Sequence, residues 1–236
     1  MGRQDAPTTI VIVCRVPKGT TAAAAAGLRN SANRVGVPVT WAAESAEFAE
    51  ICPAFDGTPD GPALVLDQPS LESLASLRQA LSAARTTRPD LTAVVATASL
   101  TMDHRSLLVA EGIGTACLPR FDEVGRGSRR PAPKGWPCRS LVWGLWEVSI
   151  STRPSTGSLL PWTASPIGPR GSLTVIEIGR AGDARTDSLR GRLEQLVALV
   201  DQRRVRGHVQ AARLCDLPDL LSGGGQSRAG SVLTAA

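Results

Sequence analysis

The residues able to do chemistry are sparse in this chain, and their spacing matches no complete catalytic device. A catalytic metal needs His, Cys or carboxylate ligands converging on one point. His104 and His208 are the only histidines, far apart in sequence. Asp103-His104 reads as a helix cap followed by a structural or surface residue. Five cysteines are present and none forms a C-x-x-C pair. Cys14 and Cys117 lie in apolar strand-like runs, where a free thiol packs as a small hydrophobe. No G-x-S-x-G elbow presents a nucleophilic serine, and no phosphate-cradling glycine loop leads from a strand into a helix. The sequence therefore identifies no catalytic and no metal-binding residue, and it implies no cofactor.

Candidates have to come from position instead. Apolar runs at Thr8 to Val16, Val37 to Ala43, Ala63 to Leu66, Leu91 to Ala98, Ile113 to Leu118, Cys138 to Ile150 and Leu173 to Ile178 read as strands, with a last one at Val205 to Ala211. Helical patterns separate them. Thr20 or Thr21 caps a helix closed by Gly36, and a short helix spans Ser45 to Cys52. Ser70 caps a helix carrying Leu71, Leu74, Leu77 and Leu81, and Asp103 caps a short one before Gly112. The clearest helix runs from Asp187 to Arg203, and a small one from Asp216 to Leu221. Strands alternating with helices predict βαβ units and a largely parallel sheet. In such folds ligands meet the carboxyl ends of the strands. Those ends carry Arg15, Glu44, Asp67, Ser99, Arg120 and Glu147.

One stretch is unusual in composition. Trp136, Trp143 and Trp146 are three of the five tryptophans, and they adjoin an Arg- and Pro-rich segment from Arg126 to Pro137. Indole faces stack on sugars and other flat groups, and Arg adds hydrogen-bonding capacity. Core packing of Trp143 and Trp146 is the competing reading.

Bulk properties narrow the classes. The chain has 236 residues, 42% hydrophobic and 20% charged, which is enough apolar material for one sizeable core. Its net charge is +5, with Lys18 and Lys134 the only lysines. Arg is spread along the chain rather than gathered into a stripe, so nucleic acid is not the expected partner. Ile10 to Val13 is too short to span a bilayer and Met1 to Thr9 is polar, so neither a membrane nor a signal peptide is expected. An odd, unpaired cysteine set fits a reducing cytoplasm. One domain over 1–222 is expected, followed by a Gly- and Ser-rich tail over 223–236. Oligomeric state is left open.

The order of these pieces resembles the polysaccharide deacetylase family, the NodB-homology domain. Val37-Pro38-Val39-Thr40-Trp41 after Gly36 is similar to the family's second strand. His104-Arg105-Ser106-Leu107-Leu108 to Glu111-Gly112-Ile113 resembles its later helix and the turn into a strand, and Gly144-Leu145-Trp146-Glu147-Val148 a further strand. The resemblance covers Thr8 to Leu221. It implies a distorted (β/α) barrel of about seven to eight mostly parallel strands. The family's chemistry is not carried with it. Where the family ends its first strand in paired aspartates, this chain reads Val13-Cys14-Arg15-Val16-Pro17. Where a His-containing metal motif follows the third strand, it reads Leu66-Asp67-Gln68-Pro69-Ser70-Leu71, with Asp67 the lone possible ligand. Ala98-Ser99-Leu100-Thr101 replaces an Arg-x-x-Pro motif, and the final-strand histidine is replaced near Glu177-Ile178-Gly179.

The expectation is a catalytically degenerate deacetylase-like barrel. Arg15, Glu44, Asp67, Trp146 and Glu147 would line its mouth and bind a saccharide or an anionic small molecule. Two alternatives stand beside it. One is a metal-dependent hydrolase of an amide or ester bond, rewired to use Asp67, Glu44 and Glu147. The other is an interaction protein working through loop 126–137.

Overall fold

The computed structural model describes residues 7–55, 58, 60–119, 138–140, 144–152, 171–179 and 186–223. Its core is a ring of parallel strands: β1 (Thr8–Arg15), β2 (Thr40–Ala43), β3 (Gly61–Leu66), β4 (Ala93–Ala96), β5 (Thr115–Leu118), β7 (Trp146–Ser149) and β8 (Leu173–Ile178). Each pairs in parallel with its neighbour from β1 through β5 to β7, and β8 pairs back to β1. A parallel bridge between Thr152 and Ile176 nearly closes the ring between β7 and β8. The result is the distorted seven-stranded (β/α) barrel that the sequence implied. Helices α1 (Ala22–Asn33), α2 (Ser45–Ile51), α3 (Leu74–Thr87), α4 (Met102–Ala110) and α5 (Thr186–Val205) accompany the ring. Among the described residues no helix is long and apolar enough to cross a membrane.

Two apolar layers explain why the strands read as continuous hydrophobic runs. Val11, Val13, Ala63, Val65, Val95 and Val175 fill the barrel interior. Their alternates, such as Ile10, Ile12, Leu64, Leu66 and Ile176, pack outward against helix residues including Leu28, Leu77, Leu108 and Leu193. The α5 stripe Leu189, Leu193, Leu196, Val197 and Val200 is fully buried, as its spacing predicts.

Local details depart from expectation in several places, and Val205, expected to open the last strand, instead ends α5. Cys138 to Ile150 is not one strand: β6 (Cys138–Ser140) runs antiparallel to β7, and Gly144 near their junction has φ +85°. The helix expected from Ser70 begins later, because Ser73 accepts the Ser76 N–H and caps α3, while Pro69–Leu71 forms a 3₁₀ turn. The α4 cap is Thr101 rather than Asp103; its hydroxyl accepts the His104 N–H, and His104 Nδ1 accepts the Thr101 N–H. Each stretch offers several residues able to cap within one turn, and tertiary packing selects among them.

The amino-terminal end of the barrel is stoppered by the chain's own carboxyl-terminal elements. β9 (Val209–Ala212) pairs with the first half of β1, and a 3₁₀ turn (Leu214–Asp216) leads to α6 (Leu217–Gly223). Ala212, Leu214 and Leu217 join the interior cluster from below. The Leu214 N–H donates to Thr40 Oγ1 at 2.9 Å, and Arg213 grips Asp216 at 2.6 Å. Nearby Asp60 is 4% exposed and accepts the Val39 N–H at 2.9 Å.

These acids predict a pH response. Burial alone would raise the Asp216 carboxyl, but the Arg213 side-chain and backbone hydrogen bonds outweigh it and hold it below its ordinary value. Its stabilising contribution is therefore present above the ordinary carboxylate pKa and lost as pH falls through the depressed folded value. Asp60 works in the opposite sense, because burial raises its carboxyl. Asp216→Asn should give a shallower loss of stability below about pH 4 than the unaltered protein shows. Urea midpoints measured at stepped pH would show it; parallel acid limbs would contradict it.

Candidate functional site

The carboxyl ends of the strands form the mouth of the barrel. Inward alternation continues past the apolar layers to polar side chains: Val11 and Val13 lead to Arg15, Ala42 to Glu44, Ala63 and Val65 to Asp67, Val95 to Thr97, and Val175 to Glu177. Register offsets from β8 through β1 and β2 to β3 all run in one direction, and Asp67 and Thr97 are level across β3 and β4, so with the tilt of the strands these residues come to similar heights. Sequence order scatters them over more than 160 residues; the barrel gathers them into one ring.

Arg15 and Glu177 meet at the β1–β8 seam. Arg15 Nε lies 2.6 Å from Glu177 Oε1, and the two side chains are 12% and 0% exposed. The Nε–H is not aligned on that oxygen, so the contact is a close ion pair rather than a directed hydrogen bond. Gly179 just beyond β8, with φ +81°, lets the chain pass against the Arg15 carbonyl. Glu44 receives Lys18 at 2.8 Å on the exposed rim. The hydrogen bond and charge of Glu44, with the charges of Asp67 and Glu47, raise the pKa of the Lys18 ammonium. Asp67 Oδ1 accepts the Ser70 N–H at 3.1 Å and the Ser70 hydroxyl at 2.5 Å, so Asp67 also caps the 3₁₀ turn that follows β3.

Three of the five residues expected at the mouth are there: Arg15, Glu44 and Asp67. Trp146 and Glu147 are not. Both lie in the first half of β7, towards the amino-terminal end of the barrel. Glu147 is the register partner of Ala116, which packs on the helix side. Its carboxylate meets Arg105 of α4 at 2.6 Å, with exposures of 1% and 15%. Glu147 is therefore a buried counter-ion between sheet and helix. The sequence reading missed its facing because both faces of this strand are covered, leaving no polar–apolar alternation to orient it. Glu177 was missed as a mouth residue, although its spacing from the apolar Leu173 and Val175 carries the signal. Ser99 is exposed beyond β4. Arg120, Trp143 and loop 126–137 lie outside the described residues.

A separate cavity of about 360 Å³ is lined by Cys52, Pro53, Thr87, Arg88, Pro89 and Asp90. It adjoins the end of α3 and the approach to β4, on the helix side and away from the mouth. Cys14 is no candidate nucleophile: burial pushes its thiol far above the ordinary range, and Asp60 adds to the shift.

The chain shares its architecture with a crystal structure from Bordetella bronchiseptica, a protein assigned as a polysaccharide deacetylase involved in O-antigen biosynthesis. The TM-score is 0.51 at 11% identity, over 82% of this chain and 83% of that one. The fold is that of the polysaccharide deacetylases. A family 4 carbohydrate esterase from Bacillus anthracis gives a TM-score of 0.45 at 12% identity, over 90% of this chain and 83% of the other. No protein-family model matches the chain, and no curated protein sequence does.

The metal that the deacetylase resemblance implies does not fit the donors that the described residues bring to the mouth. Among the described residues no three His, Cys, Asp or Glu side chains converge. A guanidinium stands at the end of β1, Glu177 faces it, and Glu44 faces Lys18. Asp67 Oδ1 is engaged by Ser70. Both histidines are elsewhere: His104 is in the α4 capping box and His208 is exposed ahead of β9.

Proposed function

We propose that this deacetylase-fold chain binds a saccharide at the carboxyl end of its barrel and does not hydrolyse it. The observation that carries the reading is the Arg15–Glu177 ion pair in the mouth ring. A deacetylase needs a metal-bound water together with an acid and a base. This ring instead offers a guanidinium and carboxylates already paired with cations or a turn. A sugar presents hydroxyls that both donate and accept, and the mouth offers both complements: donors on Arg15, and acceptors on Glu44, Asp67 and the Thr97 hydroxyl, whose own proton goes to the Leu66 carbonyl. The shared fold with a carbohydrate-active protein supports the saccharide class. The free cysteines Cys14, Cys52 and Cys117, all buried, support placement in a reducing cytoplasm.

The test combines saturation-transfer NMR on a panel of mono- and oligosaccharides with an acetate-release assay on N-acetylated members in the presence of Zn²⁺, Co²⁺ or Mn²⁺. Transfer to at least one sugar without acetate release is expected. Glu44 and Asp67 share the ring, which is the observation favouring a rewired hydrolase. Acetate release abolished by Asp67→Ala would establish that second reading. A panel in which no sugar binds would end the first.

A further inference from the structure

We infer that Arg15 is the specificity-determining residue of the mouth and that the saccharide it selects bears a carboxylate, as a uronic acid does. The inference rests on the saccharide-binding reading above and names the class of sugar.

A guanidinium carries five N–H groups in a rigid plane. Among the described residues Arg15 lies against Glu177, its buried Nε–H has no aligned acceptor, and neither Nη makes a hydrogen bond to the protein. Its side chain is only 12% exposed. Nε alone is wholly withdrawn from water, and it faces Glu177. The Nη edge of the guanidinium plane keeps solvent contact and has no hydrogen-bond partner among the described residues, so its donors are open to a ligand.

Neighbouring groups narrow what that edge can take. Glu44 is held by Lys18, Asp67 Oδ1 by Ser70, and Glu177 lies against Arg15 itself. A planar pair of oxygens matches the parallel N–H groups of the Nη edge, which a lone hydroxyl cannot do. A carboxylate placed there shares the guanidinium with Glu177. Sugar hydroxyls of the same ligand then fall to Thr97 and to the acceptors of Glu44 and Asp67.

The experiment is calorimetric titration with matched pairs: methyl glucuronide against methyl glucoside, galacturonide against galactoside, mannuronide against mannoside. At least one uronide should bind about 10- to 100-fold more tightly than its neutral partner, the ratio given by losing a hydrogen bond to a charged group. Arg15→Gln should abolish that ratio, and Arg15→Lys should restore only part of it. The unaltered protein supplies an independent readout, because the Arg15 Nη protons should slow in exchange with water when the uronide binds. Equal binding of both members of every pair would overturn the carboxylate inference while leaving the saccharide reading intact. Binding of neither member anywhere in the panel would remove both.

Discussion

Gly179→Ala should destabilise the protein by about 3 kcal/mol or more, and loosen the mouth with it. Two costs coincide at this position. The residue has φ +81°, a conformation that any Cβ strains. A Cβ there would also lie 2.2 Å from the Arg15 carbonyl oxygen, and backbone cannot swing aside as a flexible side chain can. Relief requires β1 and the end of β8 to separate, which moves Arg15 away from Glu177. Gly191→Ala is the matched control. That residue lies inside α5 with nothing within 4 Å of its added Cβ, so the substitution should stabilise by about 0.5–1 kcal/mol. Guanidinium midpoints of the two variants should move in opposite directions. Equal small shifts would show that the close approach at Gly179 is not a constraint.

Arg105→Met should cost about 3–5 kcal/mol, because it takes the Arg105 counter-ion from the buried Glu147 carboxylate in the layer between barrel and helix. The pair is 2.6 Å apart, and Glu147 is almost wholly enclosed. Replacing both partners with apolar residues of similar size, Arg105→Met with Glu147→Leu, should recover part of the loss, since the Glu147 charge is removed together with its Arg105 counter-ion. A double-mutant cycle in urea separates this from simple loss of packing. Additive losses would mean the two side chains do not act as a pair. Ligand binding at the mouth should be unaffected in the double variant, since Glu147 belongs to the opposite end and outer side of β7.

The order of strands and helices was legible in the amino-acid sequence because buried parallel strands such as Thr8–Arg15 and Leu173–Ile178 read as unbroken apolar runs. The same continuity hid which way each side chain points. Arg15, Glu44 and Asp67 were found because they sit where apolar runs stop, and any barrel puts such residues at its mouth. Glu147 interrupts its run part-way along β7, and only the register with Ala116 reveals that it faces α4. Glu177 lies one residue before the end of β8, so it passed as background to a missing histidine. Its meaning depends on Arg15, which is 162 positions away in sequence but beside it at the β1–β8 seam. Contacts closed by barrel topology leave no trace in local spacing. The cap assignments failed for a smaller reason: Ser70 and Ser73, or Thr101 and Asp103, are equally competent until packing fixes the first turn.

Hydrogen-exchange mass spectrometry of the protein with and without a bound saccharide from the panel tests the central claim most directly. Slowed exchange at 15–19, 44–47, 67–70 and 177–179 is expected, with the cavity lined by Cys52 and Asp90 unchanged. Protection confined to that cavity, or to segments away from the mouth, would contradict a saccharide site at the carboxyl end of the barrel.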